Sequence, residues 1–165
     1  MKSLKIFLSF FLLMVFCESV FSQSNSDFKR SLFFEAGGSG GVYSLNYESK
    51  LLPWSVSNRP QVMWNAGFEV VPIGHRAVLT FPVSVHLLFG QTKNKLEIGT
   101  GQFLALSILD KQSGTIRGTF HVGYRHQVEG KKIYWKIAYT PLYSYAYNFQ
   151  WENWFGFGIG YRFKK

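Results

Sequence analysis

His121, Arg125, His126 and Glu129 fall within nine residues, and Ser107 and Ser113 lie on the segment just before them. A serine, a histidine and an acid are the parts of a hydrolase or acyltransferase: a nucleophile, the base that activates it, and the group that orients the base. His86 and His121 form the other candidate set, a metal pair. A protein zinc site wants three or four ligands, and no spacing in the chain supplies the third. There is no phosphate loop, no paired metal-ligand spacing and no nucleophile elbow. Whether either set can act depends on which faces its residues occupy, and so on the elements that carry them.

The chain begins with a targeting pattern. Lys2 and Lys5 precede an apolar run from Ile6 to Phe16, broken only by Ser9. Eleven residues are too few for a spanning helix, which needs about 20. Residues 1–22 read as a signal peptide cut before Gln23. Cys17 raises a lipoprotein alternative, but Phe16 precedes it where a small residue is wanted. Residues 23–165 then form one domain of 143 residues with 16 Lys and Arg, 8 Asp and Glu, and no cysteine. No disulfide can staple it. The whole sequence is 19% aromatic and only 16% charged, where domains average about 25% charged. That excludes disorder.

Alternation with period 2 runs through the mature chain. At the end, Phe155, Phe157, Ile159, Tyr161 and Phe163 face one way, and Gly156, Gly158, Gly160 and Arg162 the other. Three glycines and an arginine cannot fill a core of normal density. A lipid-facing exterior of rings around a narrow, crowded interior accounts for both faces. Phe81, Val83 and Val85 oppose Ser84 and His86 in the same manner. Near 95–109, Thr100 and Gln102 interrupt the apolar face, and a bulge is expected there. The expectation is an all-β fold: a small antiparallel transmembrane β-barrel of about eight strands. Seven strands are clear. Ser31 to Glu48 changes parity within Gly37–Gly41, read here as one long bulged strand, because hairpin arms of about 7 residues fall short of the 9–11 that span a bilayer. The eighth strand is then sought near 22–30 or 143–150.

This register turns Glu35, Glu48, Glu69, Glu97, Arg117, Arg125, Lys136 and Arg162 inward, with His86 and His121. Eight strands leave an interior that side chains fill, and buried charges must pair. We expect a plugged, charge-paired lumen. The lipid-facing set is Phe81, Val83, Val85, Phe155, Phe157, Ile159 and Tyr161. His121 and His126 have opposite parity and do not converge with a serine, so no catalytic, cofactor or metal residues are assigned and no enzyme is expected. The tyrosines and tryptophans are numerous enough for two interfacial girdles. Surplus lysines and arginines fall near turns and chain ends, as solvated rims or contacts to lipid phosphates. The aromatics alternate along strands, which argues against nucleic-acid binding.

Tyr43-Ser44-Leu45-Asn46-Tyr47-Glu48, Phe81-Pro82-Val83 leading to Leu87-Leu88-Phe89-Gly90, Gly123-Tyr124-Arg125, Tyr139-Thr140-Pro141-Leu142 and Gly158-Ile159-Gly160-Tyr161-Arg162-Phe163 together resemble the small outer-membrane β-barrel proteins common in Bacteroidota, over nearly the whole mature chain. The resemblance implies location in the outer membrane, with lipid and the outer-membrane assembly machinery as partners, and implies no specific activity. Two other readings stay open: a membrane-embedded lipid-modifying enzyme, and a soluble periplasmic barrel that turns its rings inward around an apolar ligand.

Overall fold

The computed structural model describes residues 28–51, 60–73, 76–90, 92–107, 114–144 and 149–164. The signal-peptide reading of residues 1–22 and the candidate nucleophile Ser113 lie outside them. Ten strand segments follow in order: β1 (Phe28–Gly37), β2 (Tyr43–Lys50), β3 (Gln61–Ile73), β4 (Arg76–Phe89), β5 (Asn94–Ser107), β6 (Gly114–His126), β7 (Ile133–Tyr139), β8 (Leu142–Ser144), β9 (Gln150–Glu152) and β10 (Phe155–Lys164). All pairings are antiparallel, and β1 against β10 and β5 against β6 close the sheet on itself.

The ten segments make eight staves. β7 and β8 pair with β6 in one unbroken register, Val122 opposite Tyr139 and Thr119 opposite Leu142. The interruption is Thr140-Pro141, where proline has no N–H to give the ladder. β9 and β10 share the facing stave in the same way, and the amide of Thr140 keeps the ladder going by donating to the Trp154 carbonyl at 2.9 Å. Closure pairs the long strands around the ring on both sides, while the short β9 pairs with β8.

The eighth stave is found where one bulged strand was expected. Ser31 to Glu48 is a hairpin, with arms of 10 and 8 residues. The first arm is longer than expected because it starts at Phe28. The reversal runs through a single 3-10 turn, Gly38–Gly40. Gly37 and Gly41 hold φ of 70° and 118°, with ψ values of −153° and −115° that only glycine tolerates. The parity change was therefore a fold of the chain and not an extra residue. The bulge expected near 95–109 is absent from the described residues of that range: β5 keeps one register against β4 and β6 throughout. Thr100 and Gln102 simply face outward, and the Thr100 hydroxyl donates to the Thr119 carbonyl at 3.0 Å. Gln150–Glu152 adds a short strand beside β8.

Burial runs opposite to that of a water-soluble core. Among the described residues 20 polar or charged side chains are buried against 7 hydrophobic ones, whereas soluble interiors are built mainly from aliphatic and aromatic residues. Phe157 and Ile159 are 47% and 53% exposed, and Val85 is 43% exposed. The rings therefore turn outward, which removes the reading of an apolar ligand held among inward rings. The glycine face of β10 has a packing reason. A Cβ on Gly160 would collide with the Tyr134 ring, one on Gly158 would lie 3.0 Å from Lys136 Cγ, and one on Gly156 would lie 2.8 Å from Gly38 Cα. Gly158 and Gly160 clear the space that Lys136 and Tyr134 of β7 occupy, and Gly156 lets the β1–β2 turn pack close.

Candidate functional site: the buried charge network

Parity turns side chains from six staves inward, and they meet in one cluster in the middle of the barrel. Glu48 comes from β2, His86 from β4, Glu97 from β5, His121 and Arg125 from β6, Lys136 from β7 and Glu35 from β1. Arg125 is the centre. Its Nη1 donates to Glu48 Oε2 at 2.8 Å, its Nη2 to Glu48 Oε1 at 2.6 Å, and its Nε to Glu97 Oε2 at 2.8 Å. A planar guanidinium thus binds one carboxylate with two parallel bonds and a second along its edge. All three residues are at most 1% exposed.

Around this clamp the remaining lone pairs are met in part. Ser31 Oγ donates to Glu48 Oε2 at 2.8 Å, and His86 Nε2 lies 3.0 Å from Glu48 Oε1. The Tyr134 ring lies 4.6 Å from the Arg125 guanidinium carbon and its hydroxyl is 3.2 Å from Ser31 Oγ. Lys136 Nζ sits 3.4 Å from Glu35 Oε1, 3.6 Å from Glu97 Oε1, and 3.9 Å from the centre of the Phe33 ring. His121 Nε2 approaches Glu97 Oε1 to 2.9 Å, yet neither atom has an aligned hydrogen-bond partner among the described residues. That contact is close without being aligned as a hydrogen bond.

Seven of the ten residues expected in the lumen network meet here. Three do not. Glu69 is buried elsewhere: it accepts from the backbone amides of Val42 and Tyr43, both at 2.9 Å, and so holds the β1–β2 reversal. Arg117 is a correction. It pairs with Glu152 of β9 at 2.9 Å, its side chain 28% exposed, because it stands eight residues along β6 from Arg125, beyond the reach of the central cluster. Arg162 is buried and donates to the Val128 and Lys131 carbonyls, tying down the β6–β7 turn. Sequence reading missed Ser31, Tyr134 and Lys95, all inward. Tyr134 shares parity with Lys136 and Lys95 with Glu97, so that signal was present.

Two chemistries can be tested against this geometry. For a hydrolase, neither His121 nor His126 has a hydroxyl hydrogen-bond partner among the described residues. His126 Nδ1 instead lies 3.0 Å from Asn94 Oδ1, and its ring stacks on Trp135. For a metal, the ligand atoms of Glu48, His86 and Glu97 lie within 4.8 Å of one another. Here the structure brings two carboxylates to His86, a group of three that spacing could not show and that does not include His121. Arg125 already engages both carboxylates, however, so a cation there competes with a fixed charge at hydrogen-bond distance. What the arrangement does at once is fill and neutralise the middle of the barrel.

No protein-family model matches the chain, and neither a curated protein nor a solved structure matches it. No helix among the described residues is long and apolar enough to cross a membrane, which leaves open crossing by strands.

Proposed function

We propose that the protein is a small barrel of the bacterial outer membrane, of the kind its motifs resemble, whose lumen is closed by the Arg125 network and whose role is structural or interactive. The observation that carries this reading is the inversion of burial. Charge is inside, and large apolar side chains cover the outside of a closed sheet. In water such an outer surface is a large exposed apolar patch; in hydrocarbon it is the favoured solvent contact.

Further features support it. β3 to β6 have 13 or 14 residues and β1 and β10 have 10, enough for the 9–11 that a tilted strand needs. Outward rings gather into two belts. Tyr47 with Trp64 and Tyr124 with Trp135 mark the end where β1 starts and β10 finishes; Phe34 with Tyr43 and Tyr139 with Phe155 mark the other. Tyrosine and tryptophan favour the two interfaces of a bilayer. The short β4–β5 and β6–β7 turns lie at the end where β1 starts, as periplasmic turns do in this class of barrel. Lipid and the assembly machinery are the partners this reading names.

Planar-bilayer recording tests the closed lumen. Insertion is expected to raise no large, stable conductance, since an eight-strand interior holds only side chains and these are paired across it. Large persistent channels would contradict the plug. Recovery of the chain in the soluble fraction without detergent would contradict the membrane location.

A further inference from the structure

Two cations flank one pair of rings on the outer wall, at the end where β1 starts. Near its finish β10 turns Tyr161 and Phe163 outward, 5.5 Å apart and set edge to face. On one side, Arg30 of β1 is the cross-strand partner of Phe163 and shares an exposed face with Leu32 and Phe34. On the other, Lys132 leads into β7, where its carbonyl accepts from the Arg162 amide at 2.7 Å. The Lys132 ammonium lies 5.6 Å from the centre of the Tyr161 ring, within cation–π range. That contact holds the charge against the wall and not out beyond the turn.

The backbones of β1 and β7 stand on either side of β10, so they are about 9.5 Å apart, two strand spacings. Two long side chains can reach one phosphate across that gap. Away from the end, the same strip is apolar: Leu32 and Ile133 flank Tyr161, and β10 continues outward-facing to Ile159. Charge, then ring, then hydrocarbon is the order of a phospholipid read from phosphate to acyl chain. Tyrosine favours the depth between headgroup and hydrocarbon. Lysine and arginine lay their stems on apolar surface while their heads reach the phosphates.

The charge balance chooses among headgroups. Arg30, Lys131 and Lys132 are exposed here, with Glu129 the one acid of the β6–β7 turn. The ammonium of a zwitterionic headgroup meets a positive wall; a headgroup with net negative charge is drawn to it. At the other end of the barrel Arg117 is already matched by Glu152 at 2.9 Å. We propose that Arg30 and Lys132, around Tyr161 and Phe163, form a binding site for an anionic phospholipid, with its phosphate between the two cations. The site deepens the membrane reading and rests on it.

The test uses the full chain with Cys17→Ser, reconstituted in phosphatidylcholine vesicles. A fluorophore is attached at Ile133→Cys, beside the site, or at Val85→Cys on β4, on the opposite side of the ring. Each is quenched by a small fraction of nitroxide-labelled phosphatidylglycerol and, separately, of nitroxide-labelled phosphatidylcholine. At Ile133→Cys we expect phosphatidylglycerol to be enriched about fivefold over phosphatidylcholine, the attraction that a cation at the membrane surface supplies. At Val85→Cys the two lipids should quench equally. Arg30→Gln with Lys132→Gln should abolish the enrichment, and Lys93→Gln, an exposed cation of the β4–β5 turn, should leave it. Folding is checked by the shift on unboiled gels; should the double variant not fold, Lys132→Gln alone takes its place and is expected to lower the enrichment. Equal quenching by the two lipids at Ile133→Cys, the same enrichment at Val85→Cys, or an enrichment that survives loss of the cations overturns the site and leaves the membrane reading standing. No quenching by either lipid at either label overturns both.

Discussion

Replacing Arg125 with methionine is expected to destabilise the folded barrel by about 3–5 kcal/mol, the range for removing one partner of a buried ion pair. Most of that cost would come from what is left behind. Glu48 and Glu97, at most 1% exposed, would lose the guanidinium that hydrogen-bonds to both. Lys136, 3.6 Å from Glu97, would then balance one carboxylate and leave the other buried without its permanent cation. Methionine keeps much of the volume, so cavity formation contributes little. Adding Glu48→Gln and Glu97→Gln should recover most of the loss, because the desolvated charges go with the guanidinium. The comparison is Arg117→Met. Its bridge to Glu152 sits at the rim with both side chains partly exposed, and such pairs contribute about 0–1 kcal/mol. Equilibrium unfolding in urea, in detergent or lipid vesicles, measures all three. Equal losses for Arg125→Met and Arg117→Met would mean that the central clamp is no more than a surface pair.

The second large effect is expected on the outer wall. Ile159 lies midway along β10, between Phe34 on β1 and Trp135 on β7, and is 53% exposed. If that face is solvated by acyl chains, Ile159→Lys should cost about 2–4 kcal/mol, the range for a cation placed near the bilayer midplane on a barrel's lipid face. If it faces water, a surface substitution should change stability by about 0.5 kcal/mol or less. Lysine is also a poor strand former, worth up to about 1 kcal/mol. Asn is poorer still and uncharged, so Ile159→Asn in the same vesicles bounds that contribution. A lysine penalty no larger than the asparagine penalty would remove the lipid from the explanation.

Much of the barrel was legible because period 2 is so regular. In β10 every second residue is Gly or Arg, and in β4 the alternation runs from Phe81 to His86 without a break. Parity alone therefore placed Glu48, His86, Glu97, Arg125 and Lys136 inside. Parity carries no information about height along the axis. Arg117 and Arg125 share a face, yet one is at the rim and the other at the centre, and only the register between strands separates them. Parity is also blind to a fold of the chain. Gly37 to Gly41 can make a bulge or a reversal, and the choice rests on φ values that composition does not reveal. The same limit concealed the convergence of Glu48 and Glu97 on one guanidinium. These residues lie 49 positions apart in the chain and meet only because the sheet closes.

The central claim is that hydrocarbon, and not water, surrounds the apolar wall. The most direct measurement is a nitroxide label at Ile159→Cys in the chain beginning at Gln23, which has no other cysteine, reconstituted in phospholipid vesicles. The account predicts frequent collisions of the label with molecular oxygen and few with a water-soluble nickel chelate. Ready access for the nickel chelate, with little for oxygen, would contradict it.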